Sequence, residues 1–412
     1  MKVLLALNDL HMDGMGSVAI TLVRALRSQG MRVVVLMASP HCDFPGFVKE
    51  AEPIFIKDGG WGFVGENLPN MVQAVNDVAE DGDVLIHCGA ANWLACVPYF
   101  KPGLRVVTGV HSINPSTLKI CRAYAERVSA WVCISKGVRD RFLRKLPRKY
   151  HHKVHLVCNA IETCGNPKTD YRLVDEVKGL GEGEQWNLRI LFLGRIENTS
   201  KGCGKLPKIL AELRRRGVKV HLDLYGYFHN WERQWWKAVD KCGVREMVTY
   251  CGEIAHEEVY PVMTAHDVFI APSNFEGFSL STSEAMSAAL PIVASSIEGV
   301  TDWICEDGKA GFVVPKMDIN GFADALEKLA GDENLRRRTG EAERKRIAEL
   351  ASFEAHGKGY ADMLKAASAS RDYELVRPHC PLDAYVQPEF LKPWGLARLL
   401  PTKLKTWLRR FM

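Results

Sequence analysis

Short apolar runs alternate with longer stretches of helical period along most of this chain. Near the start, "KVLLALN" reads as a strand, "SVAITLVRALRSQG" as a helix stopping at Gly30, and "RVVVLMAS" as the next strand. Continuous apolar runs of this length suit strands buried on both faces, and their alternation with helices predicts βαβ units around a parallel sheet. "DVLIHCG", "RVVTGVHS" and "AWVCIS" continue the series. Each is followed by small or polar residues, where open α/β sheets place their ligand sites.

The alternation breaks at "TCGNPKTDYRLVDEVKGLGEGEQ", which is polar and glycine-rich and suits a hinge over residues 163–187. It then restarts with "LRILFLGR" as a strand, "GKLPKILAELRRRG" as a helix and "VKVHLDLYG" as a strand. "MVTYCG", "HDVFIAPS", "PIVASS" and "GFVVP" follow. The expected fold is therefore α/β, with two doubly wound domains at 1–162 and 188–365 and a ligand site in the cleft between them. Residues 366–412 form a tail of different character. Between Lys392 and Met412 it carries Lys392, Arg398, Lys403, Lys405, Arg409 and Arg410 and no acid, interleaved with tryptophan and leucine. Such a segment suits an anionic membrane surface; packing against the N-terminal domain is the alternative.

Composition narrows the class. The net charge of +5, 47% hydrophobic and 25% charged residues are ordinary for a globular enzyme, and no basic run with interleaved aromatics points to nucleic acid. Twelve scattered cysteines without a Cys-x-x-Cys pair read as free thiols of a reducing compartment. His151, His152, His155 and Cys158 fit no standard zinc spacing. The N-terminus turns polar at Asn8, too soon for a signal peptide, and no run approaches the roughly 18 apolar residues of a membrane span. The expectation is a cytoplasmic protein with at most peripheral membrane contact.

Two stretches carry candidate chemistry. In "LFLGRIENTSKGCGKL" a strand ends at Gly194, and Arg195 and Lys201 follow in the loop. An arginine fork with a lysine point charge is a good clamp for a pyrophosphate. In "SNFEGFSLSTSEAM" two acids, Glu276 and Glu284, flank a predicted helix start near Ser281. Gly277 permits close backbone approach, so the amides from Phe278 onward suit an anion. Ser281 and Glu284 also have the spacing of a capping box, which needs no ligand. Glu276 has no such explanation; carboxylates accept from sugar diols, so the two stretches together imply a nucleotide diphosphate sugar.

The second half resembles the donor domain of retaining glycosyltransferases of family 4, which have the two-domain GT-B fold. "GRIENTSKG", "YGYF", "TYCGEIAHEEVYPVMTAHDVFIAPSNFEGFSLSTSEAM" and "PIVASSIEGVTDWI" match in order. The first half matches more loosely through "MDGMGSVAITLVRAL", "GVHS", "CISKGV" and "VCNAIE", and the likeness covers about residues 1–365. The resemblance implies that Glu284 binds ribose hydroxyls while Arg195 and Lys201 hold the diphosphate. It implies that Glu276 contacts the transferred sugar with the backbone of Gly277, Phe278, Ser279 and Leu280, and that Gly194 and Gly226 line the donor pocket. His111 would lie by the reacting centre, and Gly14 and Gly16 would let the first loop approach the phosphates. Asp13-Gly14-Met15-Gly16 departs from the family's paired glycines and following acid, and Asp302 stands where a glutamate is usual. These departures concern the acceptor side.

The resemblance further implies a metal-independent reaction, no cofactor, a UDP- or GDP-linked donor and an α-linked product on a glycan or lipid-linked acceptor. The reaction would be a front-face substitution assisted by the leaving phosphate. Asp81-x-Asp83, the one Asp-x-Asp, precedes its strand and reads as a loop. An epimerase or hydrolase on the same fold and a non-catalytic nucleotide-sugar binding protein are the alternatives. A nicotinamide enzyme is disfavoured because no Gly-x-Gly-x-x-Gly follows the first strand.

Overall fold

The first strand, β1 (Lys2–Leu7), is buried along its length because alternate residues enter two different cores. Val3, Leu5 and Leu7 join one and Leu4 and Ala6 the other, as the two-residue period of a strand requires. The computed structural model describes residues 2–10, 14–57, 68–171 and 188–369. Their contacts divide the chain into two units. One runs to Ala160 and takes in the chain again from Phe353; the other is Ile161–Ser352.

In the first unit β1 is followed by β2 (Arg32–Met37), β3 (Ile54–Phe55), β4 (Val84–His87), β5 (Arg105–Val110), β6 (Ala130–Cys133) and β7 (Val154–Leu156). They form a seven-stranded sheet in the order β3-β2-β1-β4-β5-β6-β7, with every pair parallel. Asp83 ties β1 to the start of β4: it accepts from the Lys2 amide at 3.0 Å and the Glu80 amide at 2.8 Å, and its carboxylate lies 3.1 Å from Lys2 Nζ. The second unit holds β8 (Leu188–Leu193), β9 (Val220–Tyr225), β10 (Val248–Gly252), β11 (Val268–Ala271), β12 (Ile292–Ser295) and β13 (Phe312–Val314). Its parallel order is β10-β9-β8-β11-β12-β13. The chain winds outward from β8 to β10 and then restarts on the other side at β11. The strand order thus reverses between β8 and β11, where such sheets open a crevice at their carboxyl ends.

Two boundaries differ from the sequence expectation. The described part of the expected hinge, residues 163–171, packs on the second unit. The Cys164 amide donates to Ser287 Oγ at 3.0 Å, Lys168 N to Ala288 O at 2.8 Å and the Tyr171 hydroxyl to Ala289 O at 3.0 Å. At the other end the helix Phe353–Ala369 leaves the second unit and buries Tyr360, Met363 and Leu364 in the core of the first. Helical periodicity shows that one face is covered, but not by which core. Residues 172–187 and the basic tail from 370 lie outside the described residues. Among the described residues no helix is long and apolar enough to cross a membrane.

Candidate functional site

The loop after β8 is built around a buried acid. Glu197 accepts from the amides of Thr199 at 2.6 Å, Ser200 at 2.9 Å and Lys201 at 2.7 Å. One carboxylate thereby satisfies three successive backbone donors and folds residues 197–201 into a fixed turn. Gly202 continues it at φ +64°, where an added Cβ would meet Pro272 O at 2.2 Å. Gly194 and Gly226 have a backbone reason for being glycine. At Gly226, φ +125°, a Cβ would lie 1.9 Å from Gly194 O, so the ends of β8 and β9 approach too closely for any side chain.

The loop after β11 docks on this turn. The amide of Asn274 donates to Ser200 O at 2.7 Å, and Ser200 Oγ donates to Phe275 O at 3.0 Å. Buried Lys205 donates to Asn274 Oδ1 at 2.8 Å and Lys316 O at 2.9 Å, and burial with Lys316 nearby pushes its ammonium down to about 8. The docking places Lys201 Nζ 2.7 Å from Glu276 Oε1, which also accepts from Ser273 Oγ at 2.7 Å. Two of the residues singled out in the sequence therefore share a hydrogen bond at the switch point, while Arg195 stands exposed at the head of the same loop.

The helix after this loop is Leu280–Ser287 and its N-cap is Ser279, at φ +68°, with no side-chain cap. The expected start at Ser281 is thus too late. Glu284 is the fifth helical residue, beyond reach of the third-residue role a capping box requires, and a ligand reading remains for it. Glu284 is half-buried, and burial with Glu162 beside it raises its carboxyl above the ordinary range, partly opposed by His256 and Lys201. Gly277, Phe278, Ser279 and Leu280 lie between the two acids, with Phe278 and Ser279 buried.

His111, Gly14 and Gly16 belong to the first unit. Gly14 opens the helix Gly14–Ser28 and Gly16 is buried in it; Asp13 lies outside the described residues. His111 follows β5 and its ring lies over Gly109, where a Cβ would be 2.5 Å from His111 Nε2. Burial, with His356 nearby, lowers its imidazole to about 4, so the ring is neutral at pH 7. Glu197, Ser273 and Lys205 escaped the sequence reading, because an acid or lysine in a polar loop looks like surface until the fold buries it. Among the described residues no group of three or more histidines, cysteines or acids is placed to hold a metal ion.

Two family models match this chain. "Glycosyl transferases group 1" matches residues 187–332 and "Glycosyltransferase Family 4" matches residues 12–163; together they span more than two thirds of it. The alpha-D-kanosaminyltransferase of Streptomyces kanamyceticus is 28% identical over 275 residues, covering 62% of this chain and 69% of that enzyme. The phosphatidyl-myo-inositol mannosyltransferase of Mycobacterium leprae is 26% identical, covering 79% and 86%. Other curated relatives are matched over only 40% and 21% of their own length. Among solved structures, HepE of Anabaena in complex with UDP and glucose superposes with a TM-score of 0.71 at 16% identity, over 89% of this chain and all of that one.

Proposed function

The chain belongs to the family 4, group 1 glycosyltransferases and has their GT-B fold, and we propose that it is a retaining enzyme moving a sugar from a UDP- or GDP-linked donor to a glycan or lipid-linked acceptor. The observation that carries the donor reading is the Lys201–Glu276 contact at the β8/β11 switch point. In this reading Arg195 and Lys201 hold the diphosphate, Glu276 accepts from hydroxyls of the transferred sugar, and Glu284 accepts from the ribose. Gly194 and Gly226 leave room for the phosphates.

The C1–O bond to the diphosphate breaks while the acceptor oxygen bonds C1 on the same face, so an α-linked donor gives an α-linked product. The acceptor's proton goes to the departing phosphate oxygen, and nucleoside diphosphate is released. Lys201, held by Glu276, together with the exposed Arg195 and the helix-start amides would stabilise the charge that develops on the leaving group, without a metal. His111, in the first unit with Gly14 and Gly16, would meet hydroxyls at the reacting centre.

The relative acting on phosphatidyl-myo-inositol and the basic, tryptophan-bearing tail support an acceptor at an anionic membrane face, as in surface polysaccharide or glycolipid synthesis. Proton NMR of the first sugar product from UDP-α-glucose or GDP-α-mannose tests the reaction. An α-anomer supports retention, and a β-anomer appearing first overturns it. Equal sedimentation with anionic liposomes of the full chain and a chain ending near Ser370 would remove the membrane role of the tail.

A further inference from the structure

The helix Phe353–Ala369 follows the second unit in sequence but covers one face of the sheet in the first. Its Tyr360, Met363 and Leu364 share a core with Val107 of β5, Val132 of β6 and Val157. Alternation along β5 puts residues 107, 109 and 111 on that same face, and the position of the His111 ring over Gly109 agrees with it. His111 is therefore folded back onto the face this helix occupies.

His356 enters the same region from the first turn of the helix and is 3% exposed. Its Nδ1 lies 2.5 Å from the carbonyl of Cys158, just beyond β7. A carbonyl oxygen only accepts, so Nδ1 carries the proton and Nε2 holds a lone pair. Tyr360, one turn on, braces the ring edge-on at 4.9 Å between centroids. Nε2 of His356 and both ring nitrogens of His111 are buried without a hydrogen-bond partner among the described residues. A buried polar atom left unpaired is costly, so three in one region call for a common explanation. His87 is near enough for His111 to help lower its imidazole and its Nδ1 is unpaired as well, but its Nε2 is taken by Thr108 Oγ1 at 2.9 Å, on the face of β5 opposite Val107 and Gly109.

We propose that His356 is a positioning residue for His111. Its Nε2 accepts the N–H of His111 through one buried water, since the two rings make no direct hydrogen bond, and so fixes the tautomer of His111. The other nitrogen of His111 then keeps its lone pair. The proposal rests on the reading of His111 given above. The nearness of the two rings also shows in the depressed imidazole of His111, to which His356 contributes.

The test uses the full chain. His356→Asn keeps an amide N–H for the Cys158 carbonyl but has no atom at the Nε2 position. Long-range proton–nitrogen spectra of wild type should show His356 protonated at Nδ1 and His111 in one tautomer; His111→Asn assigns the signal. In His356→Asn the melting temperature should hold while His111 shows both tautomers. The kcat for hydrolysis of UDP-glucose or GDP-mannose should fall roughly tenfold or more with KM little changed. His111 keeping one tautomer in His356→Asn would overturn the proposal. If His356→Asn fails to fold, the wild-type spectrum decides, and two tautomers of His111 there overturn it. If His111→Asn leaves turnover intact, the role of His111 itself falls and its positioning with it; loss of turnover in His111→Asn but not in His356→Asn removes the positioning role alone.

Discussion

Lys201 Nζ donates to Glu276 Oε1 across 2.7 Å, joining the turn after β8 to the loop after β11. Glu276 keeps a second donor in Ser273 Oγ, so the acid stays hydrogen-bonded if Lys201 turns toward a ligand. The pair can therefore act as a relay: phosphate drawing on the ammonium frees one carboxylate lone pair for a sugar hydroxyl.

Lys201→Met should lower donor turnover by about 10²–10³-fold, as removal of one preorganised donor to a developing anion does. The thermal midpoint should move little, because Ser273 still satisfies Glu276. Nucleoside diphosphate release, measured beside a melting curve, checks both halves. A large loss of stability with normal turnover in the surviving protein would refute the relay.

Glu197→Ala should destabilise the second unit by about 1–3 kcal/mol, since three backbone amides lose their acceptor. Donor KM should rise as the turn carrying Lys201 loosens. Glu197→Gln, which retains one carbonyl oxygen, should fall between the two. Denaturant unfolding and initial rates at varied donor read the two effects separately.

Glu343 gives a pH signature. It is fully buried; its Oε1 accepts from the Ile292 amide at 2.9 Å, Oε2 has no partner among the described residues, and burial holds its carboxyl well above 4.5. The folded state thus prefers the neutral acid. Its contribution is fully present below pH 4.5 and is lost as pH rises through the folded value. Glu343→Gln keeps the acceptor and stays neutral, so it should cost less than about 1 kcal/mol at acid pH and recover stability relative to wild type as pH rises. Unfolding curves at pH 5 and pH 8 measure this.

Gly226→Ala should destabilise by about 1–3 kcal/mol or more, because its Cβ would meet Gly194 O at 1.9 Å and its φ of +125° is strained for alanine. Gly46→Ala, where an added Cβ meets nothing within 4 Å, is the control, and melting temperatures compare the two.

Much of the sheet was legible because buried parallel strands are continuous apolar runs. β3 and β7 were not: one has two residues and the other is three half-buried ones, too short for any period to register. The return of the helix at Phe353 was hidden because its apolar stripe would fit either core. At the site, Lys201 and Glu276 stood out as charges beside glycines at strand ends. The helix start was misplaced because Ser279 takes a left-handed backbone that its residue type does not announce. Glu197 and His356 act through burial, which sequence alone does not reveal.

The central claim is that the loops after β8 and β11 bind a nucleotide diphosphate sugar. A thermal-shift titration of UDP- and GDP-sugars against wild type, Arg195→Ala and Glu276→Ala tests it most directly. At about 100 times its dissociation constant a ligand stabilises the native state by about 2.7 kcal/mol, enough to raise the melting temperature of wild type visibly. The account predicts a rise with one donor and its loss in both variants. An equal rise in all three proteins, or none with any nucleotide sugar, would contradict it.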